Sequence, residues 1–301
     1  MKEAFKTQRF NAKSQKLITQ ANDIIVEYRR SGLGLTLRQL YYQLVARGNL
    51  ANEQKNYKRL GSLLSNARLA GLVDWDALED RTRNLKGFNG SDIDVPSYIS
   101  GIASGYHVDL WEGQENYIEV WVEKEALAGV VERACGLMAC NFFSCRGFNS
   151  QSEQYRAGKR FHSKGHYEGR GCFVLHLGDH DPSGMDMTRD NIDRLNMFSG
   201  GNVTLKRVAL NMDQIEELKP PPNPAKETDS RAQGYIKEFG RSSWELDALP
   251  PDYIVNLIKG EISKLVDIDQ MNSRREYQEE GRREIDLIAE NYEEFVDWVN
   301  R

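Results

Sequence analysis

The distribution of apolar residues predicts an α/β protein whose parallel sheet is preceded by a basic helical domain. Two patterns and a charge contrast carry this. Short apolar runs alternate with helical stretches between residues 117 and 249, whereas the front of the chain holds only helical periodicity. Charge then changes sign along the chain: residues 1–90 carry 16 Lys and Arg against 8 Asp and Glu, and the remainder carries 24 against 37. The net charge of −5 therefore averages a basic front and an acidic rear, a division that suits phosphate contact by the first and cation binding by the second.

Residues 17–28 (LITQANDIIVEY) have helical spacing of apolar side chains, and Gly32-Leu33-Gly34 interrupts it. Thr36 is placed to cap a second helix, TLRQLYYQLVARG, that stops at Gly48. Tyr57, Leu60, Leu63, Leu64 and Ala67 define a third helix flanked by Lys58, Arg59 and Arg68. With the extension Val73-Asp74-Trp75, this is the outline of a winged helix-turn-helix, an outline shared by three helices packed together without a wing. Residues 87–105, rich in Gly, Ser and Asp, read as a linker or wrapped loop. Strands are expected at residues 117–122, 142–145, 172–177, 203–210 and 244–249, with helices at 126–137 and 185–198 between them. Residues 219–224 (KPPPNP) read as a rigid surface connection, and the chain from Ile254 onward as charged helix. The expected division is a DNA-binding front domain at 1–95, a metal-binding sheet domain at 112–270 and a helical segment at 271–301.

Composition removes several classes of protein. No stretch approaches the roughly 18 consecutive apolar residues of a membrane span, and residues 1–14 lack the apolar centre of a secretory signal. Cys135, Cys140, Cys145 and Cys172 form no CxxC pair and are too few for a disulfide framework in 301 residues, so buried thiols in a reducing cytoplasmic setting are expected.

Open parallel sheets bind ligands at the carboxyl ends of their strands. Glu123 directly follows the run YIEVWV, and CFVLHLG delivers Asp179 and Asp181 to the same edge. Three carboxylates there supply the hard oxygen ligands that Mg2+ prefers, with Mn2+ as a substitute, and the ion would neutralise charge on a phosphorus centre and its leaving oxygen. Asp181 also suits the cap of a helix opened by Pro182, a role compatible with metal binding. Glu125, Asp186 and Glu245 are candidates for outer-shell oxygens only.

The pattern of Glu123 after one strand and Asp179-His180-Asp181 after another resembles the Toprim domain of topoisomerases, primases and related nucleases. Within that group, VEKEAL and LGDHDPSGMDM resemble the topoisomerase VI A subunit and its meiotic double-strand-break relatives. The resemblance implies that Glu123, Asp179 and Asp181 hold the metal. It further implies a nucleophilic tyrosine in an Arg-x-x-Tyr-Tyr motif, matched here by Arg38-Gln39-Leu40-Tyr41-Tyr42. Tyr42 would then attack a backbone phosphate to leave a 5′-phosphotyrosine, with Arg38 steadying the phosphate. Helix geometry is consistent with this, since Leu37, Leu40, Tyr41, Leu44 and Val45 share an apolar face while Tyr42 falls beside Arg38 on the polar side. Gln39 departs from the acid usual in that family.

The implied activity is Mg2+-dependent cleavage of double-stranded DNA by a homodimer in which Tyr42 of one subunit meets the metal of the other, with a separate ATPase subunit for strand passage. Two alternatives remain open at the level of sequence: a hydrolytic Toprim nuclease without a covalent intermediate, and a DNA-binding subunit without catalysis. His162 and His166 have the spacing of a zinc pair but read better as exposed helix residues, and His180 reads as solvent-facing. Arg146, Arg156, Lys159 and Arg160 read either as a guide for DNA or as a solvated helix face.

Overall fold

In the computed structural model, residues 2–78 and 94–301 are described. They separate into two compact units, one joining the described part of residues 1–83 to Asn116–Ile262, the other joining that of residues 84–115 to Ser263–Arg301. By compactness, the front helices and the sheet thus belong together, and the C-terminal helix joins the segment ahead of the sheet.

The first unit begins with α1 (Ala12–Arg30), α2 (Leu37–Ala46) and α3 (Gln54–Leu69). Asn11 starts α1 by accepting from the Ser14 N–H at 2.8 Å. Thr36 and Gln39 close a capping box on α2, Gln39 Oε1 accepting from Thr36 N at 2.8 Å. Capping therefore accounts for an amide at position 39. Ile18, Ala21, Ile24, Leu40, Leu44, Leu60, Leu64 and Ala67 form the buried side of the three helices. Val73-Asp74-Trp75 does not extend into a strand: it leads into a short 3-10 turn, Trp75–Ala77.

The sheet is four-stranded and parallel, in the order β2-β1-β3-β4, with β1 at Asn116–Val122, β2 at Asn141–Ser144, β3 at Gly171–Leu177 and β4 at Val203–Ala209. Before β1, residues 95–105 form a helix, α4 (Val95–Gly105), where a loop was expected; residues 87–93 of that expected loop lie outside the described residues. Asp94 starts it, accepting from Ser97 N at 2.8 Å. α5 (Ala128–Leu137) packs on β1 and β2, while α6 (Gln151–His162) lies against α7 (Pro182–Ser199), which also packs on β4. Strand alternation sends Tyr117, Trp121, Cys172, Val174 and Val203 to one sheet face, where Ala157, Phe161 and Leu195 complete a core. All four cysteines are buried free thiols, as expected.

After β4 come α8 (Met212–Leu218), β5 (Asn223–Pro224), α9 (Ala232–Phe239), β6 (Ser242–Ser243) and α10 (Pro251–Ser263). The expected strand at 244–249 is instead a 3-10 turn, Leu246–Ala248, that packs on α2. The proline-rich connection ends in β5, which pairs antiparallel with β6. In the second unit, α11 (Ile268–Glu290) packs on α4, and α12 (Tyr292–Val299) buries no residue. Ser100 Oγ donates to Asp286 at 2.9 Å, and Gln278 Oε1 accepts from Val108 N at 3.1 Å. Among the described residues no helix is long and apolar enough to cross a membrane.

Candidate active site

The carboxyl ends of β1 and β3 open into a cleft of about 510 Å³, walled on its other side by α2 and by residues 223–245. Arg38, Tyr42, Glu123, Asp179 and Asp181 all line it. Residues expected to meet only across a dimer thus share a cleft within one chain.

Each acid is delivered by a local rule. Glu123 lies just past the last residue of β1, 9% exposed, and its Oε2 accepts from Asp179 N at 2.9 Å. Asp181 caps α7 by accepting from Gly184 N at 2.7 Å, with Pro182 at the first helical position. Close approach depends on Gly184: a Cβ there would meet the Asp179 carbonyl at 2.2 Å and Glu123 Oε2 at 3.0 Å. Arg207 of β4 fixes the same turn from behind, donating to the carbonyls of Gly178 (2.9 Å), Asp179 (2.6 Å) and Gly184 (3.1 Å).

Asp179 departs from the expected role. Its Oδ1 accepts from Leu246 N at 2.8 Å, and its Oδ2 lies 2.7 Å from the Lys124 ammonium. Among the described residues no group of three or more His, Cys, Asp or Glu side chains is arranged to hold a metal ion. A smaller site fits better. The Glu123 and Asp181 carboxylates each accept one hydrogen bond among the described residues, and Mg2+ needs only one or two carboxylates when water and phosphate complete its shell. Burial, and then the neighbouring Asp179 charge, push the Glu123 carboxyl up to about 8, so it keeps its proton at neutral pH until a cation takes that proton's place. Burial likewise raises Asp179 to about 6, against the pull of Lys124.

Beside the acids runs a network of ion pairs that sequence reading did not find. Glu245 Oε2 contacts Arg38 and lies 2.6 Å from Lys124 Nζ. Asp247, fully buried, sits 2.7 Å from Arg38 Nε and 3.7 Å from Lys124 Nζ. Neither Asp247 oxygen has a directed hydrogen bond, so these contacts act through charge more than through geometry. Burial works against both cations, but Asp179, Asp247 and Glu245 outweigh it for Lys124, as Asp247 and Glu245 do for Arg38. Two backbone bonds of 2.9 Å between His180 and Trp244 tie this segment to the β3 end. His180 is buried rather than solvent-facing: its Nδ1 lies 2.8 Å from the Tyr235 hydroxyl, and Phe239 and Trp244 complete its surroundings.

Tyr41 and Tyr42 separate as the helical wheel predicts, but both are buried. Tyr41 contacts the 51–53 turn, accepting from Glu53 N at 2.8 Å. Tyr42, 5% exposed, lines the cleft and lies 6.0 Å from the Arg38 guanidinium. Burial, then the Glu245 charge, hold its phenol above the ordinary tyrosine value. Elsewhere, His162 and His166 stack at 5.0 Å, His162 facing the Ser199 carbonyl at 2.9 Å. Arg160 lies not on a free basic face but against Glu119, at 2.9 and 3.1 Å.

No protein-family model, curated protein or solved structure matches this chain.

Proposed function

We propose that this chain cleaves double-stranded DNA by tyrosine transesterification, as a Toprim protein with a winged-helix-like front domain similar to the topoisomerase VI A subunit. The observation that supports it best is the shared cleft, in which a tyrosine and an arginine one helical turn apart face acids at the ends of two parallel strands. Tyr42 Oη would attack phosphorus, forming the phosphotyrosine bond as the bond to the departing 3′-oxygen breaks; the phenolic proton ends on that oxygen. Arg38 and Lys124 would hold the phosphate oxygens, while Arg207 keeps the Asp179–Asp181 turn rigid. Glu123 and Asp181 would hold Mg2+ or Mn2+, which when bound supplies charge neutralisation at the phosphate and leaving oxygen. A homodimer and a separate ATPase subunit belong to the same proposal.

Hydrolysis by water is the second reading, supported by the burial of Tyr42. Tyr42→Phe separates the readings when plasmid DNA and Mg2+ are followed on SDS gels. Transesterification requires that the substitution abolish both cleavage and SDS-resistant protein-DNA adducts. Cleavage that persists without adducts supports hydrolysis, and wild-type protein inert under all metal conditions leaves only a DNA-binding role.

A further inference from the structure

Glu245 occupies an unusual position in the cleft. One of its oxygens, Oε2, contacts both Arg38 and Lys124, and its side chain remains 25% exposed. Behind it, Asp247 and Asp179 have side chains 0% and 8% exposed and contact the same two cations. Removing Glu245 from the pair therefore leaves each cation with a buried counter-charge. Arg38 keeps Asp247, and Lys124 keeps Asp179. The outer carboxylate is exchangeable, whereas the inner two are fixed by burial. An oxyanion that bridges a guanidinium and an ammonium also has the charge and hydrogen-bonding pattern of a non-bridging phosphate oxygen.

We infer that Arg38 and Lys124 form a phosphate-binding subsite which the chain's own Glu245 fills until a phosphodiester displaces it. This deepens the DNA-cleavage reading by naming Lys124 as a substrate-binding residue and Glu245 as an internal competitor. Exchange preserves charge, since one anion leaves as another enters. Backbone movement is not required either: the clamp of Trp244 on His180 and the bond from Leu246 N to Asp179 hold the chain on both sides of residue 245. Rotation of the Glu245 side chain toward solvent opens the subsite.

Calorimetric titration of metal-free protein with inorganic phosphate, and separately with a short DNA duplex, tests this. Glu245→Gln keeps the shape and removes the charge, and should bind both probes about tenfold more tightly than wild type, the gain expected when one opposing charge is lost. Adding Lys124→Gln should cancel that gain. Equal phosphate affinity in wild type and Glu245→Gln, or no phosphate binding by either, overturns the inference. If Glu245→Gln does not fold by circular dichroism, Lys124→Gln alone decides: phosphate binding equal to wild type overturns the inference, and its loss supports it. Phosphate binding with the expected pattern, but no DNA cleavage by wild type, would leave the subsite standing and remove the cleavage reading. Cleavage unaffected by a failed phosphate test would do the reverse.

Discussion

Strand β1 and the residue just past its end carry two buried glutamates, Glu119 and Glu123, and their surroundings differ completely. Glu119, 2% exposed, accepts from Tyr117 Oη (2.7 Å), Trp121 Nε1 (2.9 Å) and two nitrogens of Arg160 (2.9 and 3.1 Å). Every lone pair has a donor, so the charge is neutralised where it stands. Glu123 receives one backbone N–H and faces two further acids. The first arrangement fastens α6 to the sheet; the second leaves a carboxylate whose electrostatic need is unmet, which is the usual mark of a site that binds something.

Breaking the satisfied acid should have the largest effect on stability. Glu119→Ala strips Tyr117, Trp121 and Arg160 of their common acceptor and is expected to cost about 3 kcal/mol in urea unfolding, Arg160 being half exposed and so partly screened. A change below about 1 kcal/mol would erase the contrast between the two glutamates. Gly184→Ala should follow at about 2 kcal/mol, because the new methyl meets the Asp179 carbonyl and the turn must shift. The same variant should lose any nuclease activity more severely than its stability loss explains, since the turn carries Asp179 and Asp181.

Glu123 should show its effect in pH dependence. Its folded-state value of about 8 lies above the ordinary 4.5, so between those values the folded protein keeps a proton that the unfolded chain releases. Stability conferred by that proton is complete at low pH and is lost as pH rises toward 8. Metal-free Glu123→Gln should therefore match wild type near pH 5 and exceed it by about 1–2 kcal/mol near pH 8, measured by urea unfolding at both values. Mg2+ or Mn2+ should raise the wild-type melting temperature near pH 8 and leave Glu123→Gln unmoved; an equal rise in both would remove Glu123 from the metal site. Smallest of all should be the stability change for Tyr42→Phe, about 1 kcal/mol or less for loss of one buried hydroxyl, set against complete loss of covalent adducts.

Much of the fold was legible because it is written locally. Alternating and continuous apolar runs located β1 to β4 within a few residues, and Thr36, Asp181 and Pro182 marked helix starts through capping that involves neighbours three positions away. The segment at 244–249 misled for the same local reason: WELDAL carries a strand-like apolar pattern, yet its backbone serves to clamp His180 and cover α2. A helix at 95–105 was obscured by its serines and glycines, residues of low helical preference that packing against α11 overrides.

By itself, the sequence determined the parallel α/β order, the delivery of Glu123, Asp179 and Asp181 to one strand edge, and the separation of Tyr41 from Tyr42 around α2. Tertiary structure alone decided which charges those groups meet. Arg38 and Glu245 are 207 positions apart, and Lys124 reaches Asp179, Glu245 and Asp247 across three segments. Periodicity reports which face of an element is buried, because burial follows backbone geometry. It carries no record of the partner, since an ion pair between distant segments depends on how those segments are brought together in space.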